Sequence, residues 1–238
     1  AMAYADRLQP EHRPALAAVE DLFPSDYSEL AVAGRRAASA AILRQVLPEV
    51  EPLDGVTWEE HSLLGERGES VLVRLYLPSG AAVPLPAIYY IHGGGMWAGT
   101  IDFEHANAVR LSETLDCVVA CVEYRLAPEN PFPEPLNDCL LGYTWLTTRA
   151  ESLGIDARRI VIFGASAGGG LAFGTALKVR DSGAHLPALV ATIAPMIDDR
   201  DNTASVREFD RLGPLLWDGT KNREGWSWYL GGNPADEY

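Results

Sequence analysis

Residues 160–170 of the 238-residue chain read IVIFGASAGGG and give the strongest indication of its fold class. The four apolar residues Ile160–Phe163 predict a buried strand, and a Gly164-x-Ser166-x-Gly168 pattern follows at once. The glycines remove Cβ clashes, so a serine can occupy a strained turn between a strand and a helix. The helix that follows favours negative charge at the turn. We interpret this stretch as a nucleophile elbow with Ser166 as the nucleophile; for this element alone, a glycine-rich turn without chemistry stays open.

A second glycine-rich segment, HGGG at residues 92–95, follows the apolar run Ala87–Ile91. Acyl-transfer intermediates need N–H donors about 3 Å from their oxyanion. We predict that the backbones of Gly93 and Gly94 supply two donors and that of Ala167 a third. A phosphate-binding loop is the alternative, but no GK[ST] sequence follows the glycines.

Short apolar runs alternate with helical segments in the second half of the chain. Strands buried on both faces have this pattern, which predicts an α/β fold with a mainly parallel sheet. An earlier strand with alternating apolar residues and a helix that packs on the sheet complete the core. The predicted elements are strands at Ser70–Leu77, Ala87–Ile91, Cys117–Val122, Ile160–Phe163 and Leu189–Ala194, with a helix at Glu134–Arg149.

The N-terminal residues 1–50 have a different composition. Two segments rich in Ala and Leu, Pro14–Leu22 and Tyr27–Leu47, predict helices. Ser25 or Asp26 would be the N-cap of the second one.

Composition excludes several classes of partner. The formal net charge is −14, so a nucleic acid or an anionic membrane surface would be repelled. The uncharged stretch 160–177 contains five glycines and fits a strand, a turn and a helix better than a membrane span. The first residues lack the apolar region of a signal peptide, and the odd number of cysteines argues against a disulfide framework. We predict a cytoplasmic protein without stable membrane insertion.

A third motif, YRLAPE at residues 124–129, is followed by PFP at 131–133; alone it predicts only a rigid connection. Together, HGGGMW (92–97), YRLAPE and GASAGG (164–169) resemble, in this order, the hormone-sensitive-lipase family of carboxylesterases (bacterial family IV). The resemblance covers about residues 55–235. One departure is Ala165, where the family usually has Asp.

The resemblance implies an α/β-hydrolase core at residues 51–238 under a helical cap formed by residues 1–50, with 198–218 contributing to the cap. It also implies hydrolysis of small-molecule esters with short to medium acyl chains, without a cofactor or a metal; a homo-oligomer stays open. Ser166 would be the catalytic residue and Gly93, Gly94 and Ala167 the oxyanion hole. Residues that shape the motifs would be His92, Gly95, Gly164, Gly168 and Glu129. Candidates for the substrate pocket are Tyr27, Trp97, Leu215 and Trp217.

The acid and the base of the triad cannot be assigned. In this fold they follow the serine, and His185 is the only later histidine. It should lie at the far end of the helix that starts at the elbow, some 20–25 Å away at about 1.5 Å per residue. We therefore expect the catalytic Asp and His beyond Tyr238, and the chain to be a fragment. The alternative is a catalytically inactive hydrolase fold that binds a small ligand.

Overall fold

The computed structural model describes residues 9–20, 22, 29–46, 55–65, 67–210 and 217–232. Contacts divide the described residues into two compact units. The smaller unit comprises those of Ala1–Leu47 and Asp198–Ser227, and the larger unit those of Pro48–Ile197 and Trp228–Tyr238. The cap boundaries inferred from the sequence, 1–50 and 198–218, stay a prediction.

The larger unit is built on one six-stranded sheet with the strand order β1-β2-β4-β3-β5-β6. The pairs β1–β2 and β2–β4 are antiparallel, and the three pairs that join β4, β3, β5 and β6 are parallel. The strands are β1 (Val56–Leu64), β2 (Ser70–Pro78), β3 (Leu85–Ile91), β4 (Val118–Glu123), β5 (Ile155–Ala165) and β6 (Leu189–Ile193). The mainly parallel sheet of the α/β class is therefore confirmed.

Each parallel connection in this sheet runs through a helix. Of the chain's helices, α3 links β3 to β4, α4 links β4 to β5, and α5 links β5 to β6. In chain order the helices are α1 (Arg13–Glu20), α2 (Val32–Val46), α3 (His105–Leu115), α4 (Glu134–Arg149), α5 (Ala167–Ser182), α6 (Ala204–Phe209) and α7 (Gly219–Tyr229). Helices α4 and α5 pack against each other, whereas α3 packs on β2 and β4.

Both faces of the central strands are covered, which explains their continuous apolar sequences. In β3, Tyr89 and Tyr90 point to opposite faces. The ring of Tyr89 contacts that of Tyr143 in α4, while Tyr90 joins a buried cluster with Val109 of α3. The three cysteines are free, buried thiols, in agreement with the expectation that they form no disulfide framework.

In the smaller unit, α2 and α7 are joined by an ion pair. The largely buried Arg35 guanidinium donates to Glu224 at 2.6 Å and, through Nε, to the Leu30 carbonyl at 2.9 Å. Helix α7 belongs to this unit as far as Ser227.

The sequence placed most elements of the larger unit correctly. The helix Glu134–Arg149 has the predicted bounds. Strand β1 was not predicted, because its exposed edge position puts polar residues on both faces. Among the described residues the second N-terminal helix begins at Val32, whereas its predicted start at Tyr27 and its predicted cap at Ser25 or Asp26 lie outside the described ranges. Among the described helices, none has the length and apolar character needed to span a bilayer.

Candidate active site

The nucleophile elbow lies where β5 ends and α5 begins, and Ser166 is the residue between them. Its backbone angles, φ 53° and ψ −120°, are outside the regions that L-residues favour. Both backbone polar groups of Ser166 are held by the end of β6 and the residues after it: its N–H donates to the Ile193 carbonyl, and its carbonyl accepts from the Met196 N–H, each at 2.9 Å. The strained conformation is thus fixed from outside the turn.

The glycines of the elbow are required by close backbone contacts. A Cβ on Gly164 would overlap the carbonyl oxygen of Gly168, and a Cβ on Gly168 would overlap the carbonyl oxygens of Ile91 and His92. Strand β3 therefore ends directly against the first turn of α5.

The Gly93 backbone lies beside Ser166. A methyl group on Gly93 would sit 3.6 Å from Cβ of Ser166 and 3.0 Å from the Ala165 carbonyl oxygen. This neighbourhood follows from the topology, because β3 and β5 are parallel partners with Ile91 opposite Gly164. The fold therefore brings the two glycine motifs together, although 74 residues separate His92 from Ser166.

The other predicted oxyanion donors lie in the same two turns. Gly94 has φ 123°, a conformation that excludes side chains, and its carbonyl accepts from the N–H groups of Trp97 and Ala98. Ala167 is the first residue of α5 and is buried; its N–H has no acceptor four residues earlier in the helix. The roles of these donors stay a prediction.

His92 is buried at the start of the glycine loop. Its Nδ1 lies 2.8 Å from the Gly93 carbonyl, which can only accept, so Nδ1 carries the proton. Burial lowers the pKa of His92 to about 4, against the opposing effect of that hydrogen bond. Nε2 is buried and has no hydrogen-bond partner among the described residues. These contacts fit the predicted part of His92 in shaping the loop.

The remaining residues of the motifs fall into two environments. Gly95 is buried within the loop, whereas Glu129 is exposed beside a polar depression that Arg67 and Arg125 also line. Arg125 forms a bidentate ion pair with the buried carboxylate of Asp138.

Two of the four pocket candidates, Trp97 and Trp217, lie among the described residues, one in each compact unit. Trp97 is buried, and its ring meets that of Trp228 edge-on with centroids 5.5 Å apart. Trp217 is exposed and belongs to the smaller unit; Tyr27 and Leu215 lie outside the described residues. Trp228 was not singled out from the sequence, and its aromatic character in a weakly patterned segment was the only available signal.

His185 does not approach the elbow. It is exposed after the end of α5, and its Nε2 hydrogen-bonds the Ala157 carbonyl at 2.7 Å. In the part of the chain that the structure describes, no imidazole or carboxylate hydrogen-bonds Oγ of Ser166.

Comparisons with known proteins agree with this architecture. The model of a family with the alpha/beta hydrolase fold matches residues 88–238. The carboxylesterase NlhH of Mycobacterium tuberculosis is 34% identical over 175 residues, which are 74% of this chain and 54% of that protein. The ethyl acetate hydrolase of Pseudomonas putida is 36% identical over 62% of this chain and 48% of its own length.

Solved structures give the same result. A bacterial heroin esterase superposes with a TM-score of 0.82 at 39% identity, over 91% of this chain and 68% of its own. The esterase LipW from Mycobacterium marinum has a TM-score of 0.75 at 32% identity, over 98% of this chain and 71% of its own. The chain spans about a third to a half of the length of the curated relatives it matches.

The family match covers more than half of the chain, and the motifs lie where that fold requires them. The resemblance drawn from the motifs is confirmed: the chain belongs to the α/β-hydrolase family, in its hormone-sensitive-lipase-like branch.

Proposed function

We propose that the protein is a serine carboxylesterase that hydrolyses esters with short to medium acyl chains through an acyl-enzyme. One observation carries the proposal: the Gly93 backbone lies against Ser166, so that a Cβ added to Gly93 would lie 3.6 Å from Cβ of Ser166. A half-buried serine on a strained turn, next to a turn of backbone N–H donors, is the arrangement that acyl transfer needs.

In this proposal Oγ of Ser166 attacks the ester carbonyl carbon. The carbonyl oxygen becomes an oxyanion and accepts hydrogen bonds from the N–H groups of Gly93, Gly94 and Ala167. Because Ser166 precedes the first turn of α5, the partial positive charge of that helix end adds to this stabilisation. Collapse of the intermediate releases the alcohol and leaves the acyl group on Oγ, and water then hydrolyses the acyl-enzyme.

The reaction also needs a general base that takes the proton from Oγ and returns it to the leaving alcohol. His92 is unsuited to that task, because its Nδ1–H is committed to the Gly93 carbonyl and its buried ring has a pKa near 4. The proposal therefore assigns base and acid to a histidine and a carboxylate outside the described residues, in the order that the family follows.

Steady-state hydrolysis of p-nitrophenyl acetate, butyrate and octanoate tests the proposal, with protein expressed from its complete reading frame. We expect turnover of the acetate and the butyrate, and a loss of about 10⁴ to 10⁶ in kcat for Ser166→Ala. Ser152→Ala is the matched control, because Ser152 is exposed and its hydroxyl only donates to the Arg149 carbonyl.

Two results would contradict the esterase. One is undiminished turnover in Ser166→Ala. The other is a wild-type protein that turns over none of the three esters yet binds them, which would favour the ligand-binding alternative.

A further inference from the structure

The glycine loop at residues 92–101 is held at three points by the segment that ends β4. We call residues 123–127 the brace; they overlap the YRLAPE motif, to which the sequence assigned no more than a rigid connection. Strand β4 lies beside β3 in the parallel part of the sheet, so the carboxyl end of β4 meets the loop that leaves β3.

The first contact is made by Tyr124 at the start of the loop. Its ring stacks on the imidazole of His92, with centroids 4.1 Å apart and planes 14° from parallel. Its fully buried hydroxyl donates to the His92 carbonyl at 2.9 Å. The peptide group that carries this carbonyl also carries the Gly93 N–H, so Tyr124 orients the first predicted oxyanion donor through a single peptide plane.

The other two contacts hold the middle and the end of the loop. The Ala127 N–H donates to the Met96 carbonyl at 3.0 Å. Oε2 of Glu123 accepts from the Ile101 N–H at 2.7 Å.

The carboxyl group of Glu123 lies in an environment that disfavours its charged form. Burial raises its pKa to about 7, against the stabilising Ile101 N–H, and Asp102 and Arg74 are the charged groups that act on it. Burying a carboxyl group costs free energy unless hydrogen bonds compensate for the lost water, and the Ile101 N–H supplies one such bond.

The loop needs outside support because glycine contributes no side chain that could pack. Gly93 and Gly94 have more conformational freedom to lose than other residues, and catalysis is sensitive to donor displacements of about 1 Å. Contacts within the loop hold the carbonyl groups of Gly93 and Gly94, and the brace adds a hydrogen bond to the peptide group that carries the Gly93 N–H.

We propose that Tyr124 and Glu123 are positioning residues, which hold the N–H groups of Gly93 and Gly94 in the geometry of an oxyanion hole. The role of these donors in catalysis rests on the proposed function, whereas the restraint of the loop by the brace is measurable without any substrate.

The test compares Tyr124→Phe with Tyr89→Phe, two variants that each lose one buried hydroxyl. Tyr89 lies in β3, is equally buried, and donates to the Cys139 carbonyl at 2.8 Å, away from the loop. Amide hydrogen exchange is followed in unliganded protein from the complete reading frame. We expect exchange in peptides covering residues 93–101 to rise about tenfold or more in Tyr124→Phe and to stay unchanged in Tyr89→Phe.

Two variants of Glu123 test the contact at the end of the loop. In Glu123→Gln, the amide oxygen should still accept from the Ile101 N–H and leave most of its protection intact, whereas Glu123→Ala should remove that protection.

Kinetics with p-nitrophenyl butyrate give the second readout. We expect Tyr124→Phe to lower kcat about tenfold with KM within about twofold, because donors that act on the oxyanion affect the transition state. Tyr89→Phe should change kcat less than about twofold. Equal exchange and equal kcat in the two Phe variants would overturn the positioning role. If the wild type hydrolyses no ester, the proposed function fails, and the exchange experiment alone decides whether the brace holds the loop.

Discussion

The two turns that meet at the candidate site are held in different ways. At the elbow, main-chain hydrogen bonds from Ile193 and Met196 fix Ser166, and glycines fill gaps that no Cβ could enter. In the glycine loop, a Cβ on Gly93 would be only slightly crowded, whereas one on Gly94 would overlap the Ala98 carbonyl oxygen. Side chains of the brace, Tyr124 and Glu123, supply two of the three contacts between the brace and the loop.

This difference has a physical consequence. A turn held by main-chain contacts and steric exclusion should respond to added volume by unfolding. A loop held by side-chain contacts should respond to their removal by moving while the rest of the fold stays intact. Four substitutions test whether the two turns differ in this way.

The largest effect is expected for Gly168→Ala at the elbow. The new methyl group would overlap the carbonyl oxygens of Ile91 and His92, which belong to the backbone and cannot rotate away. We expect a loss of about 3 kcal/mol or more in the free energy of unfolding, measured by urea denaturation. Gly55→Ala is the control, because its nearest neighbour would be Glu113 at 3.6 Å, and it should change stability by less than about 0.5 kcal/mol. Equal stability of the two variants would refute the steric account.

Gly93→Ala should separate activity from stability. Its methyl group would lie 3.0 Å from the Ala165 carbonyl oxygen, so a shift of a few tenths of an ångström relieves the contact. We expect stability to fall by less than about 1 kcal/mol and kcat for p-nitrophenyl butyrate to fall about tenfold. A variant that unfolds like Gly168→Ala would show that the loop is as rigid as the elbow.

Glu123 of the brace should also change how the free energy of unfolding depends on pH. The pKa of Glu123 is raised by burial from 4.5 to about 7, so in this window the native state binds more protons than the unfolded chain. Glu123 therefore makes the fold less stable as the pH rises from 4.5 to 7, by at most about 1.4 kcal/mol per pH unit. The buried His92, with its pKa lowered to about 4, has the opposite effect between pH 4 and 6.5.

Glu123 and His92 have opposite effects in the wild type. The informative quantity is therefore the difference in free energy of unfolding between Glu123→Gln and the wild type. We expect the stability of Glu123→Gln relative to the wild type to increase between pH 5 and pH 7.5 in urea unfolding experiments. A difference that does not change with pH would mean that Glu123 titrates normally and is not enclosed by the loop.

The smallest effect is expected for Ala194→Gly, in the segment that supports the elbow. Ala194 has φ 44°, which costs a residue with a side chain about 1 kcal/mol. We expect a gain of about 0.5 kcal/mol in the free energy of unfolding and unchanged kcat, since the supporting hydrogen bonds come from Ile193 and Met196. A fall in kcat would indicate that the rigidity of Ala194 itself positions Ser166.

The elbow was predictable from sequence because its determinants are contiguous: an apolar run, small residues at fixed spacing and a helix. The glycine loop was recognised for the same reason. Its contact with the elbow followed only from the pairing of β3 with β5, which no local pattern encodes.

The role of the brace was not predicted, although most of its residues belong to the YRLAPE motif. Tyr124 reaches His92 because β4 lies next to β3, and 32 positions separate the two residues. Strand β1 was missed for a different reason: an edge strand with exposed polar residues on both faces lacks the apolar signal on which strand prediction depends.

Covalent trapping of the acyl-enzyme tests whether Ser166 is the nucleophile. Protein from the complete reading frame is mixed with p-nitrophenyl butyrate, quenched with acid during turnover, digested and mapped by mass spectrometry. A peptide containing Ser166 that is heavier by one butyryl group, and the absence of this adduct in Ser166→Ala, is the predicted result. A butyryl group on another residue, or turnover that persists in Ser166→Ala, would contradict the assignment of Ser166 as the nucleophile.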